Sequence, residues 1–414
     1  MQININKFVT LISILAILNI SLFFTVMGLL GLEYEGSESS NIYIIYILLV
    51  AILSFFAYGY GVVKKGILKS ELIIIFITLF VFCIHVLWVI FGANVSVVFT
   101  DFLILFVLLG MPGFFAAATI IKLNLISQVI KYAEVFFIVM ACGIAVFSIL
   151  PTFSGIITTS LAGSSYQALS YYSAFIFGML LTYNIYLPRS LRFYWTSFIW
   201  YKALVYGLIL VCVLGCLIGG GRGAFILMIT YFLISLFASK GNIFSHKGLF
   251  NLFARLLSVF LILIVFLSFF WERDFIQSGF NRATQFISSD GAIDISEGSS
   301  GRDFVYLEAI KYISERPLIG YGPFDFREQT ISPHNLFLEI LLQFGIVGLV
   351  IFLLMLIVVA FNAINNRSIY TYWVFVLLLY PLVMLMFSGS YMHSAEFIFG
   401  ISFIAMYRRD LDGL

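Results

Sequence analysis

Three short stretches carry the residues of this chain that could do chemistry. Gly219-Gly220-Gly221-Arg222-Gly223 sets an arginine among glycines at the end of an apolar run, where bare backbone lets a ligand come close. Ser300-Gly301-Arg302-Asp303 sets a second arginine at the start of a helical pattern. An arginine fork offers a phosphate two parallel hydrogen bonds, and a helix N-terminus adds free amide donors and the positive end of a dipole. Ile331-Ser332-Pro333-His334-Asn335-Leu336 leads into another apolar run. There Ser332 suits a helix cap, Pro333 the first helical position and His334 the first turn, where an imidazole exchanges protons near neutral pH. Glu339, deeper in the same run, either orients His334 or pairs with another polar group. Gly320-Tyr321-Gly322 reads as a tight turn; its tyrosine stacks on a sugar or, the favoured reading, anchors at a membrane interface.

As a set, these residues describe a group transfer. The arginines hold a diphosphate leaving group, and His334 takes the proton of an attacking hydroxyl. The segment 272–333 has no Asp-x-Asp pair and no acids at metal-ligand spacing, so arginine rather than a metal ion is expected to balance the departing charge. No cofactor is expected. Each residue also has an ordinary reading. Arg222 could snorkel to headgroups, Arg302 could pair with Asp303 or Glu308, and His334 could bond a carbonyl.

The elements that position these residues follow from composition. Of 414 residues 62% are hydrophobic and 10% charged, against about a quarter charged in soluble domains. Such a chain cannot clothe itself in polar groups, so its solvent is lipid and its unit of architecture is a span of about 20 apolar residues. The runs are continuous rather than alternating, which selects helices over a barrel. They fall at 8–30, 42–63, 72–92, 98–120, 129–150, 171–188, 200–218, 223–239, 254–271, 335–361, 370–388 and 395–407. The expected fold is therefore an all-α polytopic membrane helix bundle of about 12 transmembrane helices, the first retained rather than cleaved as a leader. Gly110, Pro112 and Gly113 are expected to kink the fourth span. Cys83, Cys142, Cys212 and Cys216 all lie in apolar runs and read as packing residues.

Basic residues set the orientation. With a cytoplasmic N-terminus, the inner turns carry Lys64, Lys65, Lys69, Lys122, Lys131, Arg189, Arg192, Lys240, Lys247, Arg255 and Arg367, and the C-terminus brings Arg408 and Arg409 back inside. Arg222 is then the exception among short outer turns. Glu134 and Lys131, near the inner side, would pair with each other or meet headgroups. Glu396, His393 and Asp101 fall at outer ends of spans, where they could line one cavity. The segment 272–333 lies outside; it holds ten of the 20 acidic residues, too much charge for the bilayer. The organisation expected is spans 1–271, an extracytoplasmic loop 272–333 and spans 334–414. Within the loop, Phe304, Leu307, Ile310 and Ile313 recur at helical spacing before Pro317, predicting an amphipathic helix over 302–315 near the membrane surface.

Several of these motifs resemble the O-antigen polymerase and O-antigen ligase superfamily of bacterial polysaccharide assembly. The resemblance rests on Gly221-Arg222-Gly223-Ala224, then Ser300-Gly301-Arg302 with Tyr306 and Ala309, then Pro317-Leu318-Ile319-Gly320-Tyr321-Gly322, and last His334-Asn335-Leu336-Phe337-Leu338-Glu339 with Gly345 and Gly348. It covers roughly 200–361. It implies a membrane glycosyltransferase of the plasma (inner) membrane acting on an undecaprenyl-diphosphate-linked glycan. Arg222 and Arg302 would bind the diphosphate and His334 would sit by the acceptor hydroxyl, with Tyr321, Asn335 and Glu339 in support. A polymerase would join lipid-linked repeat units into O-antigen or capsular polysaccharide, whereas a ligase would move finished polymer to lipid A-core. The aromatic-rich N-terminal half favours a polymerase fitted to one repeat unit. Membrane lipids, a chain-length regulator and a flippase are the expected partners, and nucleic acid is not. A flippase or transporter is the competing class. The gathering of polar residues toward one face, without two related halves, favours an enzyme.

Overall fold

The computed structural model describes residues 5–34, 37–72, 75–76, 79, 103–156, 160–164, 166–193, 198–237, 277, 302–322 and 332–408. Secondary structure among the described residues is helical throughout. In chain order the helices of more than ten residues are α1 (Ile5–Ile17), α2 (Asn19–Leu29), α3 (Ser37–Lys65), α4 (Met111–Lys122), α5 (Ile126–Ile144), α6 (Tyr166–Ile185), α7 (Ile199–Gly219), α8 (Arg222–Phe237), α9 (Arg302–Glu315), α10 (Leu336–Asn365), α11 (Ile369–Met384) and α12 (Ala395–Met406). A π-helical stretch, Leu103–Gly110, leads into α4, and another, Ala145–Ile149, extends α5. Among the described residues, four helical segments, Asn41–Lys65, Ile126–Thr152, Trp200–Gly219 and Leu336–Asn365, are long and apolar enough to cross a membrane, and a fifth counts if α1 and α2 form one bent span. The protein is thus a polytopic helical membrane protein. Most of the expected runs 72–92 and 254–271, residues 98–102 and the first part of the loop 272–333 lie outside the described residues.

One expectation changes. The run 8–30 is not one straight span: α1 and α2 meet at 91°. The break falls at Leu18–Asn19, where polar groups collect. Tyr46 donates to the Asn19 carbonyl, and Ser21 donates to Glu396. Polar partners of this kind let a helix break inside an apolar setting. In the fourth span, Gly110 and Gly113 act as contact surfaces. A Cβ on Gly110 would collide with the Met392 carbonyl, and one on Gly113 with the Ala395 carbonyl.

The chain forms two compact units. The first comprises Met1–Phe23, Gly36–Ala133 and Asp294–Leu414. At its centre α4, with the small residues Gly113, Ala116, Ala117 and Ala118 buried, packs on α1, α3 and α12. Small side chains let helix backbones approach closely where lipid removes any hydrophobic drive between helices. α11 and α10 pack on α12, and α9 packs on α10. The second unit comprises Phe24–Glu35 and Glu134–Ile293. Its core is α6, buried along most of its length and flanked by α7 and α8. Gly178 of α6 lies against the Tyr231 ring of α8, and Gly215 of α7 against Ser173 of α6.

Candidate active site

Arg222 belongs to the second unit, and its placement begins with the end of α7. Gly220 takes a left-handed conformation (φ 61°, ψ 23°) and returns its N–H to the Cys216 and Leu217 carbonyls, a terminus that favours glycine. The Gly221 N–H donates to Ser170 Oγ at 2.9 Å. A Cβ on Gly219 would strike the same hydroxyl, and one on Gly221 would fall 2.9 Å from it. The glycines therefore bind the α7–α8 corner to α6, and Arg222 emerges half-buried as the first residue of α8. Ser170, fully buried, went unnoticed in the sequence because it is one small polar residue in an apolar run.

Arg302, Tyr321, His334, Asn335 and Glu339 belong to the first unit. Arg302 is the first residue of α9, whose bounds are those the periodicity predicts. The helix turns Ala309 inward with Tyr312 and Ile313 beside it, and leaves Phe304, Leu307 and Ile310 exposed. The elbow Pro317–Gly322 then docks onto α10 where Gly345 (φ 61°, ψ −160°) breaks the helix. Tyr321 and Gly322 donate to the Leu342 and Gln343 carbonyls (2.8 and 2.8 Å), while Ile346 and Val347 donate to the Pro317 and Leu318 carbonyls (2.8 and 3.2 Å). A break strands backbone groups that lipid cannot satisfy, and the elbow supplies their partners.

Tyr321 is neither a surface anchor nor an open platform. Its ring lies edge-on to Tyr312 at 6.1 Å and beneath the Arg316 guanidinium at 4.6 Å, and its hydroxyl donates to Glu315 at 2.9 Å. Burial and the Glu315 carboxylate hold its phenol above the usual range, outweighing the opposing pull of Arg316, so it remains a donor. The interface tyrosine expected from the motif is instead the pin that fixes the elbow.

Helix α10 begins at Leu336, three residues later than the capping pattern suggests. Asn335 is the cap, its side chain accepting from the Phe337 and Leu338 amides at 3.1 and 3.2 Å. Pro333 and His334 precede the helix, so Ser332 is not its cap and His334 is not in its first turn. The short side-chain carbonyl of asparagine reaches two free amides at once. His334 is exposed, with φ 49°, a left-handed backbone uncommon outside glycine. Glu339, 1% exposed, accepts from Ser390 and from Gln343, and Tyr391 donates to Gln343. Ser390, Tyr391 and Gln343 are members of this network that sequence patterning did not single out.

One short turn joins these pieces. Leu336 donates its N–H to the Leu385 carbonyl at 2.9 Å, and the Arg302 guanidinium lies 6.0 Å from the Phe387 ring centroid. The corner carrying His334 and the arginine opening α9 thus border the same segment, 385–387.

Other charges are structural in arrangement. Glu134 does not rely on Lys131. Arg192 donates to it through two nitrogens (3.1 and 2.9 Å), Tyr201 through its hydroxyl (2.6 Å) and Phe193 through its amide (2.8 Å). A planar fork can deliver paired bonds that a single ammonium cannot. Lys122 and Glu71 form a buried pair at 2.8 Å, with Lys122 4.5 Å from the Tyr58 ring centroid. Glu396 is bound by Ser21; Asp101 lies outside the described residues.

Residues 207–353 match the family model described as O-Antigen ligase. That segment runs from α7 into α10 and contains Arg222, Arg302, Tyr321, His334, Asn335 and Glu339. No curated protein matches the chain. The match supports the O-antigen ligase and polymerase superfamily, whose members are enzymes acting on lipid-linked glycans.

Proposed function

We propose, on the premise of this superfamily, that the chain is a glycosyltransferase that polymerises undecaprenyl-diphosphate-linked repeat units on the outer face of the bacterial plasma membrane. The observation that supports it best is the turn at 385–387, which is bordered both by the helix start that follows His334 and by the arginine that opens α9. In the proposed reaction a hydroxyl of the acceptor repeat unit attacks the anomeric carbon of the donor chain. His334 takes the hydroxyl proton as the new C–O bond forms. The bond from that carbon to the diphosphate oxygen breaks, and the diphosphate leaves with the electron pair. Arg302 is assigned to that anion, and Arg222 is assigned to it by the family resemblance alone; guanidinium groups supply the charge that a metal ion would otherwise carry. Asn335 and Glu339 hold the backbone and helix that present His334, and Tyr321 holds the elbow. Termini in the cytoplasm, with a chain-length regulator and a flippase as partners, complete the proposal.

The family model's description favours a second reading, transfer of finished polymer to lipid A-core by the same chemistry. Alanine variants of Arg222, Arg302 and His334, assayed by surface polysaccharide, separate the readings. Loss of a polymerase leaves single repeat units on the acceptor. Loss of a ligase leaves bare acceptor and accumulating lipid-linked polymer. Repeat units trapped on the inner side would indicate a flippase. Normal chains from all three variants would overturn the site.

A further inference from the structure

We propose that the elbow Arg316–Ile319 is a binding site for an anionic phospholipid of the surrounding leaflet, phosphate on Arg316 and an acyl chain across Pro317, Leu318 and Ile319. The inference stands on the membrane-embedded fold and does not depend on the glycosyltransferase reading.

The depth of the elbow comes from α10. Before Gly345 this helix is enclosed by protein: Leu336, Glu339, Ile340, Leu342 and Gln343 are all buried. After Gly345 it turns apolar side chains outward, beginning with Ile346, Val347, Val350 and Ile351. A helix with a burial change of this kind passes there from a protein setting into lipid. The backbone bonds from Ile346 and Val347 to Pro317 and Leu318 place the elbow at that level. Leu318 and Ile319 are nevertheless 65% and 57% exposed. Large apolar side chains at the edge of a lipid-facing surface, and continuous with it, are lipid contacts.

Shape and charge name the occupant. Arg316, Pro317, Leu318 and Ile319 line a cavity of about 400 Å³, within the size range of ligand sites. It is an open groove whose lining is almost wholly hydrocarbon, and Arg316 is the one charged residue among the described residues that border it. The guanidinium is exposed and fixed over the Tyr321 ring, so a cation is held at the rim with little freedom left to lose. A cation above an apolar cleft at a membrane boundary matches a phosphate headgroup with its chain and discriminates against a headgroup of no net charge.

Native mass spectrometry of the full chain in detergent, titrated with phosphatidylglycerol or with phosphatidylcholine of identical chains, tests this. The wild type is expected to retain phosphatidylglycerol about fivefold better, the attraction of one basic side chain for an anionic lipid. Arg316→Gln should erase the preference and Arg316→Lys should keep most of it. Leu318→Ser with Ile319→Ser should weaken retention of both lipids. Equal retention by the wild type would overturn the site, as would an undiminished preference in Arg316→Gln. Arg316→Lys behaving like Arg316→Gln would overturn the role given to charge.

Discussion

At the scale of the residue, His334 combines exposure with a left-handed backbone, a conformation that costs a non-glycine residue about 1–3 kcal/mol. Asparagine tolerates that conformation and lacks a base of useful pKa, so it separates fold from chemistry. His334→Asn is expected to keep its thermal unfolding in detergent within about 0.5 kcal/mol of wild type. Polymer formation should fall by about 100-fold or more, the low end of what a positioned general base contributes. Full activity in His334→Asn would remove the histidine from the reaction. Asn335 beside it makes the opposite prediction. Its side chain serves two α10 amides, so Asn335→Ala should lower stability by about 1 kcal/mol and reduce activity only as far as the His334 corner loosens.

Among elements, the elbow and the Gly345 break act as one joint. Four backbone bonds cross it, and Gly320 and Gly345 each approach the opposing chain too closely for a Cβ. Gly345→Ala adds both a collision with Leu318 and a left-handed alanine, so it should cost about 2 kcal/mol or more by thermal shift. Gly59→Ala in α3, where an added methyl meets nothing within 4 Å, should be neutral or slightly stabilising. A second joint is built from charge: Glu134 of α5 ties together Tyr201 of α7 and the turn carrying Arg192. Glu134→Ala leaves a largely buried guanidinium without its carboxylate and should cost about 3–5 kcal/mol. An unchanged melting temperature would show that the hub contributes nothing to stability.

For the whole molecule, the question that bears on function is sidedness. The distribution of Lys and Arg predicts that α9 lies outside and the end of α3 inside. Ser314 and Lys65 are both exposed and mark those two places. In a background without the four native cysteines, Ser314→Cys should react with an impermeant maleimide in intact spheroplasts, and Lys65→Cys only after lysis. The reverse pattern would put His334 on the cytoplasmic side and end the proposed reaction with an extracytoplasmic glycan.

The sequence by itself determined the helical membrane class, the position of most described helices, the bounds of α9 and the glycine-flanked arginines. Hydropathy and helical period are local quantities, and lipid enforces them strongly because no backbone group may go unbonded in it. Tertiary structure alone decided which polar groups meet. The 91° break after Ile17, the choice of Arg192 over Lys131 by Glu134, the grip of Ser170 on Gly221 and the stitching of Pro317–Gly322 onto Gly345 all join positions remote in sequence. Such pairings depend on how closely two backbones can approach and on which stranded N–H or carbonyl faces which, and neither is written in the order of residues.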